Sequence, residues 1–229
     1  MQTIHTWFKR LKKISLFLLI IILCSHLFSK DIIRFAEKNI LYSNTLPHLL
    51  IELDMSFTYL GKINFKIKDI AEGQRYIFVN ASPDKKVYRL FIAQFENILP
   101  NSNQIYNYSF SQALQIDGIK CKHNMFAFSN KEAIKQKPQG EAALTYHYLK
   151  NKGFELEDEW ITSRFVTVTD EKRKHELILF YVENLSETGF RILELYEDNH
   201  YSKLGEKVCK QIKGRSLNSF NIFNLNQSP

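Results

Sequence analysis

The stretch RYIFVNASPDKKVYRLFIAQFEN, residues 75–97, decides the fold. It opens on a β-branched and aromatic run, turns through SPDKK at 82–86, and returns through VYRLFIAQFE at 87–96. Proline presets φ at a turn and aspartate can bond its own backbone, so the two runs read as the strands of a hairpin. Along the second strand Gln94 and Glu96 fall on the same face as Leu90 and Ile92. A buried face would oblige such polar groups to pair.

The pattern recurs at 164–184, RFVTVTDEKRKHELILFYVEN. Both stretches start Arg-aromatic-β-branched, carry Val at the fifth place, turn through charges and end Glu-Asn. A duplicated hairpin unit and the convergence of two amphipathic hairpins both account for this. Duplication would make Arg75 the equivalent of Arg164, and Glu96 of Glu183. These four residues form the candidate polar site, an Arg–Glu network at a sheet end.

Working outward, 57–67, 118–128, 161–169, 175–183, 189–197 and 217–223 read as further strands, from alternation or β-rich composition. Residues 100–111, rich in Asn, Ser and Tyr, read as a loop. Helices are expected over 31–42, after the capping box Ser129–Glu132, over 141–152 with Gly153 as its left-handed cap, and over 202–213. Short polar turns between adjacent strands give an antiparallel meander. The expectation is α+β: a mostly antiparallel, twisted sheet of about seven strands with helices packed on one face.

The chain divides by composition into an N-terminal segment, 1–30, and one domain, 31–229. Lys9, Arg10, Lys12 and Lys13 precede an apolar run at 14–28. As a helix that run covers roughly 22 Å, short of the ~30 Å hydrocarbon core. Its length fits a cleaved signal peptide. The missing small residues before a cut favour an uncleaved anchor, since Leu27 stands two residues before Ser29 and Leu23 two before Ser25. A lipoprotein-like box ending at Cys24 is a minor alternative, since Leu23 stands where that box wants a small residue. The preceding cations orient the body outside the cytoplasm, attached to the inner membrane through 14–28 or, after cleavage, free in the periplasm or secreted.

The same cations explain the net charge of +7. Residues 1–30 hold five Lys and Arg and no acid, which leaves 31 − 5 = 26 cations against 24 acids in the body. A nucleic-acid binder would carry a basic stripe in its folded domain, so no nucleic-acid partner is expected. The expected partners are instead an envelope protein or a small apolar ligand.

No P-loop, GxGxxG, HExxH, CxxC or GxSxG is present. Cys121 and His123 share a strand face and are weak candidates for a thiol nucleophile or metal ligands, but two further ligands at recognisable spacing are missing. His175 opens a strand, and His147 neighbours a helix core face. Cys121 and Cys209 would pair as a disulfide only if the fold brought their Cα atoms within about 7 Å. No cofactor or metal is indicated. The reading is a membrane-anchored extracytoplasmic module that binds a partner or ligand without catalysis. An acid–base hydrolase using His123, His175 or Glu183, and a carrier of an apolar ligand, are the alternatives.

Overall fold

The structure, a computed structural model, describes residues 34–198 and 200–225. Its centre is a seven-stranded antiparallel sheet. In chain order its strands are β4 (Thr58–Ile67), β5 (Ala71–Ala81), β6 (Val87–Ile98), β7 (Leu114–Ile116), β8 (Ile119–Ser129), β9 (Glu159–Val168) and β10 (His175–Asn184). The spatial order is β4-β5-β6-β10-β9-β8-β7. The two hairpins that open the sequence argument, β5–β6 and β9–β10, therefore lie side by side at the centre and are joined by β6–β10 pairing. The α+β class and the seven-stranded antiparallel sheet are as expected.

A second sheet joins the expected C-terminal strand to three unexpected strands. β1 (Arg34–Glu37), β2 (Ile40–Ser43), β3 (Leu49–Leu53) and β13 (Phe220–Asn224) pair in that order. The described part of 31–42 is thus a hairpin and not a helix. Lys38 takes φ of +53° at its turn, and alternation buries Leu41 and Ser43 while Ile40 and Tyr42 face outward. Tertiary burial of one face overrides a weak helical periodicity here.

Residues 189–197 likewise do not form the expected strand. A 3₁₀ turn (Leu185–Thr188) leads into α3 (Ile192–Leu195) and then β11 (Tyr196–Glu197), which pairs only with β12 (His200–Tyr201). Acids start this helix: Glu194 accepts from the Arg191 N–H at 2.7 Å, and Glu159 from the Ile192 N–H at 3.1 Å. Such carboxylates favour a helix N-terminus and defeat the strand alternation.

The remaining helices are α1 (Asn130–Gln136), α2 (Glu141–Asn151) and α4 (Lys203–Leu217). Ser129 caps α1 by accepting from the Glu132 N–H. Ser202 caps α4 by accepting from the Gly205 N–H. At Gly205 a Cβ would stand 2.1 Å from the Leu195 carbonyl oxygen, so only glycine lets α4 approach α3.

The central sheet is covered on both faces. On the first face Tyr76, Phe78, Phe91, Phe95, Phe165 and Tyr181 pack against the inner side of the small sheet and against Val208 and Ile212 of α4. On the second face Ile77, Leu90, Ile92, Trp160 and Val182 pack against Leu149 of α2. Helices accordingly occupy both faces, with α4 on the first and α2 on the second. Among the described residues no helix is long and apolar enough to cross a membrane, and the run at 14–28 lies outside them.

Candidate functional site

A β-bulge builds the site. Asn80 pairs with Arg89 but Ala81 pairs with Val87, so Tyr88 is one extra residue in β6. Were the turn register of Ala81 and Val87 kept, Arg75 would face Ala93, and Glu96 would lie on the opposite face. The extra residue shifts the pairing by one, and a one-residue shift exchanges faces. Arg75 consequently faces Gln94, and Gln94 and Glu96 share its side of the sheet.

Arg75 is 4% exposed and fully engaged. Its Nε and one terminal nitrogen donate to Gln94 Oε1, the same nitrogen donates to Glu141 Oε2, and the other donates to the Glu141 carbonyl and to Thr145 Oγ1. Gln94 passes the chain on by donating to Glu96 Oε1. The Phe180 ring lies between two guanidinium groups, with Arg75 Cζ at 5.5 Å and Arg164 Cζ at 5.9 Å from its centroid. Arg164 also donates to Asn124 Oδ1 at 3.5 Å.

Glu96 stands directly opposite Glu176 in the β6–β10 register, and the two are 4% and 3% exposed. Burial raises the pKa of Glu96, and Glu141 adds to this. Burial, followed by the charge of Glu96, pushes Glu176 up to about 8. Two opposed buried carboxyls cannot both ionise at little cost, so at neutral pH one proton resides on Glu176 and Glu96 accepts from it. Among the described residues, no protein donor reaches Glu176 Oε2.

Tyr106 and Tyr108 roof this acid pair, with parallel rings at 6.5 Å. The Tyr106 hydroxyl donates to Glu96 Oε2 at 3.3 Å. Burial, then nearby carboxylates, holds both phenols protonated, Tyr108 up to about 12. The β9–β10 turn straps their loop down. Arg173 Nε donates to the Tyr106 carbonyl at 2.6 Å, and Lys174 Nζ to the carbonyls of Ser102 and Gln104, each at 2.7 Å.

Two cavities meet over this face. One, of about 310 Å³ and mostly apolar, lies between the sheet and α1–α2, against Phe128, Ala142, Leu149, Leu156, Trp160 and Val182. The other, of about 510 Å³, is lined by Glu96, Glu176, Arg164, Asn124, Tyr106 and Tyr108. Phe126, Glu141 and Phe180 line both, so they form one groove with an apolar end and a polar end.

Of the four residues of the sequence-derived polar site, Arg75, Glu96 and Arg164 come together here. Glu183 does not. It lies on the first face, where it accepts from Tyr181 at 2.7 Å, from two nitrogens of Arg215 at 2.9 and 2.7 Å, and ion-pairs with Arg89 at 3.2 Å. The bulge in β6 breaks the equivalence of Glu96 and Glu183, because the β9–β10 ladder has no register shift.

The weak candidates are placed elsewhere. His123 Nε2 is 2.9 Å from Ser163 Oγ, and burial, helped by Lys213, pushes the ring pKa down to about 4. Ser163 is fully buried and also accepts from Ser216, so this His–Ser pair is a packing contact closed to substrate. His175 lies 3.4 Å from Asp170. Cys121 is buried, its thiol pushed up to about 12, and Cys209 meets the Tyr201 hydroxyl. Both thiols are free, so the disulfide considered from sequence is not formed. Among the described residues no group of three His, Cys, Asp or Glu side chains is arranged to hold a metal ion.

Sequence reasoning missed Glu176, Glu141, Thr145 and the two tyrosines. Glu176 carried one readable signal: it is two residues before Ile178 in a strand of alternating polarity. Its pairing with Glu96 depended on a long-range register. No family model matches the chain, and no curated protein or solved structure matches it.

Proposed function

We propose that this protein is a non-catalytic module that binds a small amphipathic ligand in the groove on the second face. The module is held at the membrane through residues 14–28, with its body outside the cytoplasm. The observation that carries the binding reading is the junction of the two cavities at Phe126, Glu141 and Phe180. Pockets of a few hundred Å³, mostly apolar with a few converging polar groups, are the usual form of small-molecule sites. The hydrolase alternative has less support. His175 and Glu183 stand at opposite ends of β10, roughly 27 Å apart at the rise of a strand, and His123 is packed against buried Ser163.

Trp160 lines the apolar end and, in the Trp7→Phe chain, is the one tryptophan that reports occupancy. Hexanol, hexylammonium and hexanoate are titrated onto the full-length chain in lipid nanodiscs while its fluorescence is followed. At least one should shift the emission saturably, and Ala142→Phe, which fills the cavity, should abolish the shift. If none of the three shifts the emission, or if Ala142→Phe leaves the response intact, the groove is not the site.

A further inference from the structure

The polar end of the groove holds one negative charge more than its own cations balance. Arg75 spends all its N–H groups on Gln94, Glu141 and Thr145, and it ion-pairs with Glu141. Arg164 acts on Glu176, and Glu96 shares the charge of Arg75 with Glu141, so two guanidinium groups face three carboxyls. The other ionisable groups around the pair are Tyr106 and Tyr108, which are neutral, and Lys122, which is exposed to solvent with its Nζ 5.8 Å from the Tyr108 ring. Arg173 and Lys174 are engaged with loop carbonyls. His175 neighbours Glu176 in sequence, but its Nδ1 lies toward Asp170, 3.4 Å from Oδ2. In the empty groove a proton makes up the missing positive charge.

A second observation points to a ligand. Glu176 is 3% exposed, lines the 510 Å³ cavity, meets Glu96 and the Tyr108 hydroxyl, and still has one carboxyl oxygen that no protein donor reaches among the described residues. Buried polar atoms are almost always partnered, so an orphan acceptor beside a roomy polar cavity calls for a donor from outside the chain.

We propose that the ligand carries a cationic, hydrogen-bond-donating head, such as a primary ammonium, which replaces the proton shared by Glu96 and Glu176 while its alkyl part enters the apolar cavity. This rests on the groove being the binding site. The exchange balances. Before binding, Glu96 and Glu141 are anions, Glu176 a neutral acid and Arg75 and Arg164 cations, for a net charge of zero. After binding, the three carboxylates face two guanidinium groups and the ammonium, again for a net charge of zero, and one proton has passed to the buffer. A carboxylate head would instead meet two carboxyls. A hydroxyl head would satisfy the orphan oxygen without displacing a proton.

The test is calorimetric titration of hexylammonium, hexanol and hexanoate onto the full-length chain in lipid nanodiscs, with empty nanodiscs as blank. It is run in phosphate and in Tris, whose ionisation heats differ, at pH 6.5 and 7.5. Hexylammonium should bind best, release about one proton, and bind up to about tenfold tighter at the higher pH, since each unit of pH removes a factor of ten from the competing proton. Glu176→Gln copies the shape of the neutral acid and should fold. It should weaken hexylammonium by about tenfold or more and abolish both proton release and pH dependence. Glu96→Gln should do the same. Binding of hexanol or hexanoate as tight as hexylammonium, without proton release, would overturn the proposal while leaving the groove as a ligand site. Failure of all three probes to bind would overturn both.

Discussion

The two faces of the central sheet are built from the same strands and solve opposite problems. The first face is aromatic and closed: Phe91 contacts Phe57, Phe78 and Phe220 with ring centroids at 6.4, 6.5 and 5.1 Å. The second face is aliphatic at one end and polar at the other, and its helical cover leaves a groove. Each face also holds a buried glutamate, but in different company. Glu183 on the first face is matched by two arginines and a tyrosine. Glu176 on the second is matched against another glutamate. A closed face serves stability, and charge there is neutralised within the chain. On the open face one carboxyl oxygen of Glu176 has no protein donor among the described residues.

The comparison can be broken most severely at the bulge. Deleting Tyr88 would put Gln94 and Glu96 into the aromatic face and Phe91 and Phe95 onto the polar one. The expected outcome is loss of the cooperative thermal transition, followed by circular dichroism. A surviving transition with an unchanged melting temperature would show that the register is not set there.

Phe91→Ala removes a fully buried ring from the closed face and should cost about 3–5 kcal/mol in denaturant unfolding, without weakening ligand binding in the groove. A loss of binding at equal occupancy of the folded state would mean that the faces are coupled.

The acid pair gives a smaller effect with a definite sign. The folded pKa of Glu176, about 8, is above its ordinary value of 4.5. Between those values the folded protein retains a proton that the unfolded chain has lost, so stability falls as pH rises through this window and levels off above it. The loss should be a few kcal/mol at most, and Glu176→Gln should flatten it. Melting curves from pH 5 to 9 check this, and a rise in stability over that range would reverse the assignment.

The smallest effect concerns the thiols. Since Cys121 and Cys209 are free, Cys209→Ser and added reductant should each move stability by less than about 0.5 kcal/mol.

Much of this was legible in local sequence. The hairpin at 75–97 and its echo at 164–184 fall where alternation and turn chemistry put them, and Ser129 and Glu132 start α1. Arg75, Glu96 and Arg164 were recognisable as polar residues inside apolar strands. Their company was not. The hairpin of β1 and β2 was hidden because its strands are four residues each, too short for a period of two to outweigh one of 3.6. The loop carrying Tyr106 and Tyr108 looked like solvent, because what holds it is side chains of the β9–β10 turn bonding to its carbonyls.

By itself the sequence determined the long strands of the central sheet, which residues turn its hairpins, and that charged groups were placed where strands are buried. These are consequences of short-range chemistry: the alternation of side chains, the fixed φ of proline, the reach of a serine to a nearby N–H. The tertiary structure alone decided which charges meet. One extra residue, Tyr88, sets the face of Gln94 and Glu96, and the pairing of β6 with β10, about 80 residues apart in the chain, sets Glu96 against Glu176. Register across a sheet is a long-range property, fixed by the burial of whole faces, and no local pattern carries it.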